Sequence, residues 1–204
     1  PIFRLAMGAQ IAAASAGSPC CASPQQSEPA EPTAISAPIA NLNIGPNGAG
    51  GVSAAVPMSV EALRAAAPNF AVASVDDQVE GEAFTAITLS TGAGEIFRVN
   101  PSADRARVHS IVTVSPLARG PTQDIVGQTR FAAAPPEQVE FCASEFVEGA
   151  AGFACSTAED GNFWRVYKVP DGYDGPSDPF DAIDPDVLHD ATLAEMRWIA
   201  PRAL

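Results

Sequence analysis

The 204 residues carry 11 basic and 24 acidic side chains, and the formal net charge of −13 excludes a phosphate-binding surface built on bulk positive charge, so nucleic acid is not an expected partner. A hydrophobic content of 47% with 17% charged residues supplies one packed core and excludes a chain disordered throughout. The 19 prolines and 16 glycines are too many for an all-helical bundle and predict short segments separated by turns.

Residues 1–21 read as a leader. Arg4 precedes an apolar stretch over 5–16, which breaks at Gly17-Ser18-Pro19, short of the about 20 apolar residues that a spanning helix needs. Ala14-Ser15-Ala16 suits an ordinary signal peptidase. Gly17-Ser18-Pro19-Cys20-Cys21 resembles a bacterial lipoprotein box in which Pro19 replaces the usual small residue, and either Cys20 or Cys21 would then take the lipid. Residues 22–41, rich in Pro, Ala and Ser, are expected to form a disordered linker between a membrane anchor and a head at 42–204.

The head is predicted to be α+β, predominantly antiparallel β with short helices. Gly45-Pro46-Asn47-Gly48-Ala49-Gly50-Gly51 lacks the order of a phosphate loop and reads as a turn. Ser59 caps a short helix over 60–67, with Glu61 in its first turn and Pro68 ending it. Alternating runs at 70–79, 83–89, 95–99 and 107–114, broken by Gly and Pro turns, predict a four-stranded meander. The second half repeats this order, with 127–135 standing where the first helix stood and strands at 138–142, 152–156, 162–169 and 192–199. Phe97-Arg98-Val99 matches Trp164-Arg165-Val166, and 108–116 matches 193–201. Residues 52–116 and 126–201 are therefore read as two tandem helix-then-strands units. The aromatic residues within strands, among them Phe84, Phe97, Phe141, Phe153, Trp164 and Trp198, are expected chiefly in the core.

Cys142 and Cys155 would pair across a hairpin in an oxidising compartment and stay buried thiols in a reducing one. His109 and His189 stand at no ligand spacing from a cysteine, so no metal or cofactor is expected. An insertion at 170–191 holds Asp171, Asp174, Asp178, Asp181, Asp184, Asp186 and Asp190. Hard oxygen ligands at that density suggest calcium as an alternative, although the spacing does not fit the calcium-loop pattern. No G-x-S-x-G, G-x-x-x-x-G-K or H-E-x-x-H pattern occurs, and His109 and Ser110, adjacent on a strand, point to opposite faces. The chain is therefore expected not to be an enzyme, with a small periplasmic hydrolase built on an acidic pair or on His189 and Asp190 as the alternative.

Several stretches together resemble the sigma-E-regulated lipoprotein family of enterobacteria. They are Ile44-Gly45-Pro46 with Gly48, Val60-Glu61-Ala62-Leu63 with Ala67-Pro68, the run from Glu80 to Ile87, and Val108-His109-Ser110-Ile111. The Cys142/Cys155 pair, Asp174-Gly175-Pro176 and the run from Leu193 to Trp198 complete the set. The resemblance covers about residues 42–199. It implies a lipid-anchored envelope protein on the periplasmic side of the outer membrane, with no established enzymatic activity and no catalytic residue. A protein or small ligand of the envelope is the expected partner, besides the membrane reached through the lipid anchor.

Overall fold

The computed structural model describes residues 40–79, 81–173 and 185–201. The leader, the linker up to residue 39, Cys20 and Cys21 lie outside these residues, as do Asp174, Asp178, Asp181 and Asp184.

The chain enters as a two-residue hairpin, β1 (Ile44–Gly45) and β2 (Gly48–Ala49), followed by α1 (Val60–Ala66). Then come β3 (Ala71–Val79), β4 (Glu82–Thr91), β5 (Gly94–Pro101) and β6 (Val108–Thr113). After a long connector and two 3-10 turns, Phe131–Ala133 and Pro136–Gln138, follow β7 (Phe141–Val147), β8 (Ala150–Ser156) and β9 (Phe163–Lys168). Helix α2 (Pro185–Asp190) and β10 (Thr192–Ile199) end the described fold. The protein is thus mainly antiparallel β with two short helices.

Strands β3 to β10 form one eight-stranded sheet in the order β3-β4-β5-β6-β10-β9-β8-β7. Each half is a meander, and the two meet at their final strands, where Trp198 pairs with Ile111 and Met196 with Thr113. The second meander is entered through the 3-10 turns and not through an α-helix. Pro135 and Pro136 withhold two amide donors and push the preceding residues out of helical geometry. Strand β7 begins at Phe141, later than the alternation indicates, and runs on to Val147. The insertion after β9 contains α2 where an irregular loop is expected.

One face of the sheet is packed. It presents Leu89, Phe97, Ile111, Trp198, Met196, Tyr167 and Phe153, all buried, and is covered by the N-terminal hairpin, by Leu63 of α1, and by Ala118 and Val126 of the connector. The Trp198 indole donates to Pro46 O at 3.0 Å, which ties the glycine-rich hairpin to the middle of the sheet. Ser59 accepts from the Ala62 amide and caps α1.

The largest charge in this core is Arg165 of β9, 1% exposed. Its guanidinium donates to Asp124 Oδ2 from Nε at 3.2 Å and from Nη2 at 2.9 Å, to Thr122 Oγ1 at 3.3 Å and to Gln138, and it lies over the Phe163 ring. Thr122 in turn donates to the other Asp124 oxygen at 2.8 Å. A buried ion pair survives desolvation only when its remaining polar valences are met, and these bonds meet them.

Cys142 and Cys155 form a disulfide and stand directly opposite each other on β7 and β8. Reducing it should cost about 3 kcal/mol by releasing a constrained loop in the unfolded chain, read as a lower urea midpoint. Gly48 adopts φ +127° and carries a Cβ position that would overlap the Val52 carbonyl, whereas nothing lies within 4 Å of a Cβ at Gly92. Gly48→Ala should therefore lose about 2–4 kcal/mol while Gly92→Ala stays within about 0.5 kcal/mol, measured by denaturant unfolding.

Candidate functional site

The second face of the sheet carries Arg98, Val112, Arg197, Glu195, Trp164 and Val166, because each alternates with a residue of the packed face. Three ladder shifts interrupt that alternation, one of them at Asn100/Pro101 between β5 and β6. The β4–β5 ladder shifts at Leu89/Ser90, and Ile96 and Phe97 are both buried there; the β9–β10 ladder shifts between Leu193 and Glu195. The β9–β10 shift leaves Leu193 in the core and sets Glu195 on the other face.

Charges on this face are paired with each other. In the first meander Arg98 holds Asp77 at 2.7 Å and Glu95 at 3.0 Å. The Arg98 hydrogen bond, with the Gln78 amide, lowers the Asp77 pKa, and Arg98 itself is raised by Glu95 and Asp77. In the second meander Arg197 of β10 donates to Glu195 and, across β9 and β8, to Glu145 of β7 at 2.8 Å. The ladders place Glu145 level with Gly152, Lys168 and Thr192, so this contact spans three strand spacings, about 14 Å in a flat sheet, and several residues along β10. It closes because this half-sheet coils around the face, and Val166 and Ala154 beneath are buried as a result.

The coil makes a trough of about 500 Å³, lined by Val114, Val147 and Val166 as apolar groups and by Glu145, Glu148, Glu195 and Lys168 as charged ones. Val114 is 66% exposed, whereas Phe146, between Glu145 and Val147 on β7 and opposite Ala151, points to the other side of the sheet and is 69% exposed there. Burial raises the Glu195 carboxyl, with Glu145 adding to the effect and Arg197 opposing it. Burial also works against the charge of Arg197, but its two carboxylates outweigh that and its pKa is raised. A carboxyl held high in a lined trough marks a candidate site by its chemistry.

The trough is assembled from five separated segments and was not a candidate on sequence grounds. The signal that could have found it is Glu195-Met196-Arg197, which puts two opposite charges on one face of a strand. His189 and Asp190 end α2, both well exposed, 3.5 Å apart, with Asp190 held at 2.8 Å by Arg130; they lie apart from the trough lining. Asp171 takes Lys168 at 3.1 Å. His109 is exposed and Ser110 buried. Phe84, Phe141 and Trp164 are half-buried on the second face, not in the central core, with Phe141 and Trp164 in edge-to-face contact at 5.8 Å. No helix among the described residues is long and apolar enough to cross a membrane.

No family model matches the chain, and no curated protein matches it. Among solved structures it is similar to the crystal structure of the uncharacterized protein yfeY from Escherichia coli, with a TM-score of 0.56 and 17% identity over 77% of this chain and 99% of that one. At that identity the likeness shows a shared fold.

Arg197→Met leaves Glu195 buried without its cation. A carboxyl whose folded pKa lies above its unfolded value stabilises the fold below the ordinary carboxylate range, and that contribution is lost as pH rises through the folded value. The variant should therefore lose about 1–3 kcal/mol relative to wild type by about pH 8 and much less at about pH 5, with Glu195→Gln removing most of the slope. A pH-independent offset in thermal melts would contradict this role.

Proposed function

We propose that the protein is a non-enzymatic binding or assembly module of the bacterial cell envelope. It faces the periplasm, is held to the outer membrane by a lipid on Cys20 or Cys21, and belongs with the sigma-E-regulated lipoproteins. The observation that carries the binding role is the trough: Val114, an exposed large apolar side chain, stands with Val147 and Val166 at one concavity beside charged groups of both signs. Such a surface holds a partner by apolar contact and charge complementarity. The Cys142–Cys155 disulfide supports an oxidising compartment, and the fold shared with yfeY supports the family reading at the level of architecture.

Two measurements test the two halves of this reading. Protein purified from membranes of its own cell should carry diacylglyceryl-plus-acyl mass on Cys20 or Cys21 and no free thiol at Cys142 or Cys155; an unlipidated chain with both thiols free overturns the envelope assignment. A photocrosslinker placed at residue 114 should give a discrete adduct in cells where one at Glu61 of α1 gives none. Equal labelling from both positions would remove the trough from consideration.

A further inference from the structure

A cavity of about 410 Å³ lies in the first meander, where β4 begins, β5 ends and β6 begins. Its floor follows from the strand register. Glu82 and Phe84 share a face with Thr88, which pairs with Arg98, and Asn100, two residues beyond Arg98, pairs with Ser110. The β5–β6 ladder then shifts, with Pro101 opposite Val108, so His109 is the extra residue of a bulge. Around it β6 changes phase: Val108 is buried in the core, Ser110 faces outward, and His109 is exposed at the same cavity as Ser110 instead of facing away from it. The Asn100 amide donates to Ser110 Oγ at 3.2 Å, while its Oδ1 is covered and meets no donor among the described residues. An amide in this state gains a bond by turning toward a donor in the cavity. At the rim Arg105 stands at φ +58°, a conformation that glycine takes at less cost, with its amide donating to Ser102 O at 2.8 Å and its guanidinium to Ala83 O at 3.3 Å.

We infer that this cavity binds a neutral saccharide, with one face of a sugar ring against Phe84 and its hydroxyls against Asn100, Ser110, Glu82 and Arg105. The site is separate from the trough and does not rest on it. A sugar hydroxyl donates and accepts at once, and the lining offers amide, hydroxyl, carboxylate, guanidinium and imidazole groups, so both polarities surround one small space. One carboxylate and one guanidinium balance, which selects no net charge in the ligand. Phe84 is half-buried and presents one apolar wall, which suits the apolar face of a sugar; no second Phe, Tyr or Trp lines the cavity to sandwich a planar heterocycle. The volume is at the low end of small-ligand pockets, which run from about 300 to about 1,000 Å³, and fits one or two rings.

The test titrates the intact, isotopically labelled protein with maltose, cellobiose and diacetylchitobiose, and with uracil as a planar probe. At least one sugar should saturate at a Kd of about 1 mM or tighter, shift the backbone resonances of residues 82–84, 100–102 and 109–110, and bind equally at about 50 mM and about 500 mM salt. Arg105→Gly relieves a left-handed backbone at an exposed position, so it should keep or raise the melting temperature while weakening that sugar about threefold. Phe84→Leu keeps an apolar side chain of similar size but no ring, and should weaken it about tenfold. Absence of saturation by all three sugars would overturn the inference, as would shifts confined to other residues or unchanged affinity in both variants. Uracil binding more tightly than every sugar would overturn it in favour of a planar heterocycle, and binding that falls with salt would overturn the neutral class.

Discussion

The ion pair between Arg165 and Asp124 decides which face of the sheet is closed. Asp124 belongs to the connector after β6, a segment without regular secondary structure that must cross the packed face to reach the second meander. A connector of this kind carries backbone polar groups that resist burial. Here the Gly120 amide donates to Asp124 O, the Ile125 amide to Thr129 Oγ1 and the Gly127 amide to Leu193 O, while Arg165 draws Asp124, Thr122 and Gln138 to one point. Desolvating both ions costs several kcal/mol each, and the pair is tolerable because nearly every donor and acceptor around it is matched. The arrangement fixes position more than it adds stability: a hydrophobic pair of the same volume would hold the layers together but would not select this register.

With the packed face closed in this way, the other face is left to side chains that settle their charges among themselves. Arg98 and Arg197 each gather two carboxylates, one pair in each meander. The more exposed Arg98 pairs contribute little to stability, whereas Arg197 keeps Glu195 from standing as an uncompensated covered charge. Their effect is on shape and charge. The reach of Arg197 to Glu145 holds the second half-sheet in a tight coil, and that coil buries Val166 and Ala154 and shapes the trough in which Val114 and Val147 stand. Fold and candidate site are thus two consequences of one division of the sheet, in which a neutralised ion pair faces inward and an unbalanced acidic set faces outward.

Much of the fold is legible in the chain. Period-two alternation and Gly or Pro turns locate most strands because those strands are buried on one side, and Ser59 marks the start of α1 because an orphan amide needs its hydroxyl. The limits are as physical. Phe97-Arg98-Val99 and Trp164-Arg165-Val166 match as strings, yet Arg98 faces Val112 and its carboxylates on the second face while Arg165 faces Met196 in the core. A one-residue change of phase separates them, and a ladder shift leaves no mark in a single sequence. Asp124 looks like any loop aspartate because its partner lies 41 positions away. The trough was hidden for the same reason, since residues 114, 126–127, 145–148, 166, 168 and 192–195 meet only after both meanders join and coil.

The central claim is that the Arg165–Asp124 pair pins the connector, and a double-mutant cycle with Arg165→Met and Asp124→Leu, measured by urea unfolding, tests it directly. Each single substitution leaves an uncompensated buried charge, so both should be strongly destabilising, while the double variant should recover most of the loss, giving a coupling energy of about 2 kcal/mol or more. Additive effects, with a coupling below about 0.5 kcal/mol, would show that the connector is held by its apolar contacts alone and contradict the account.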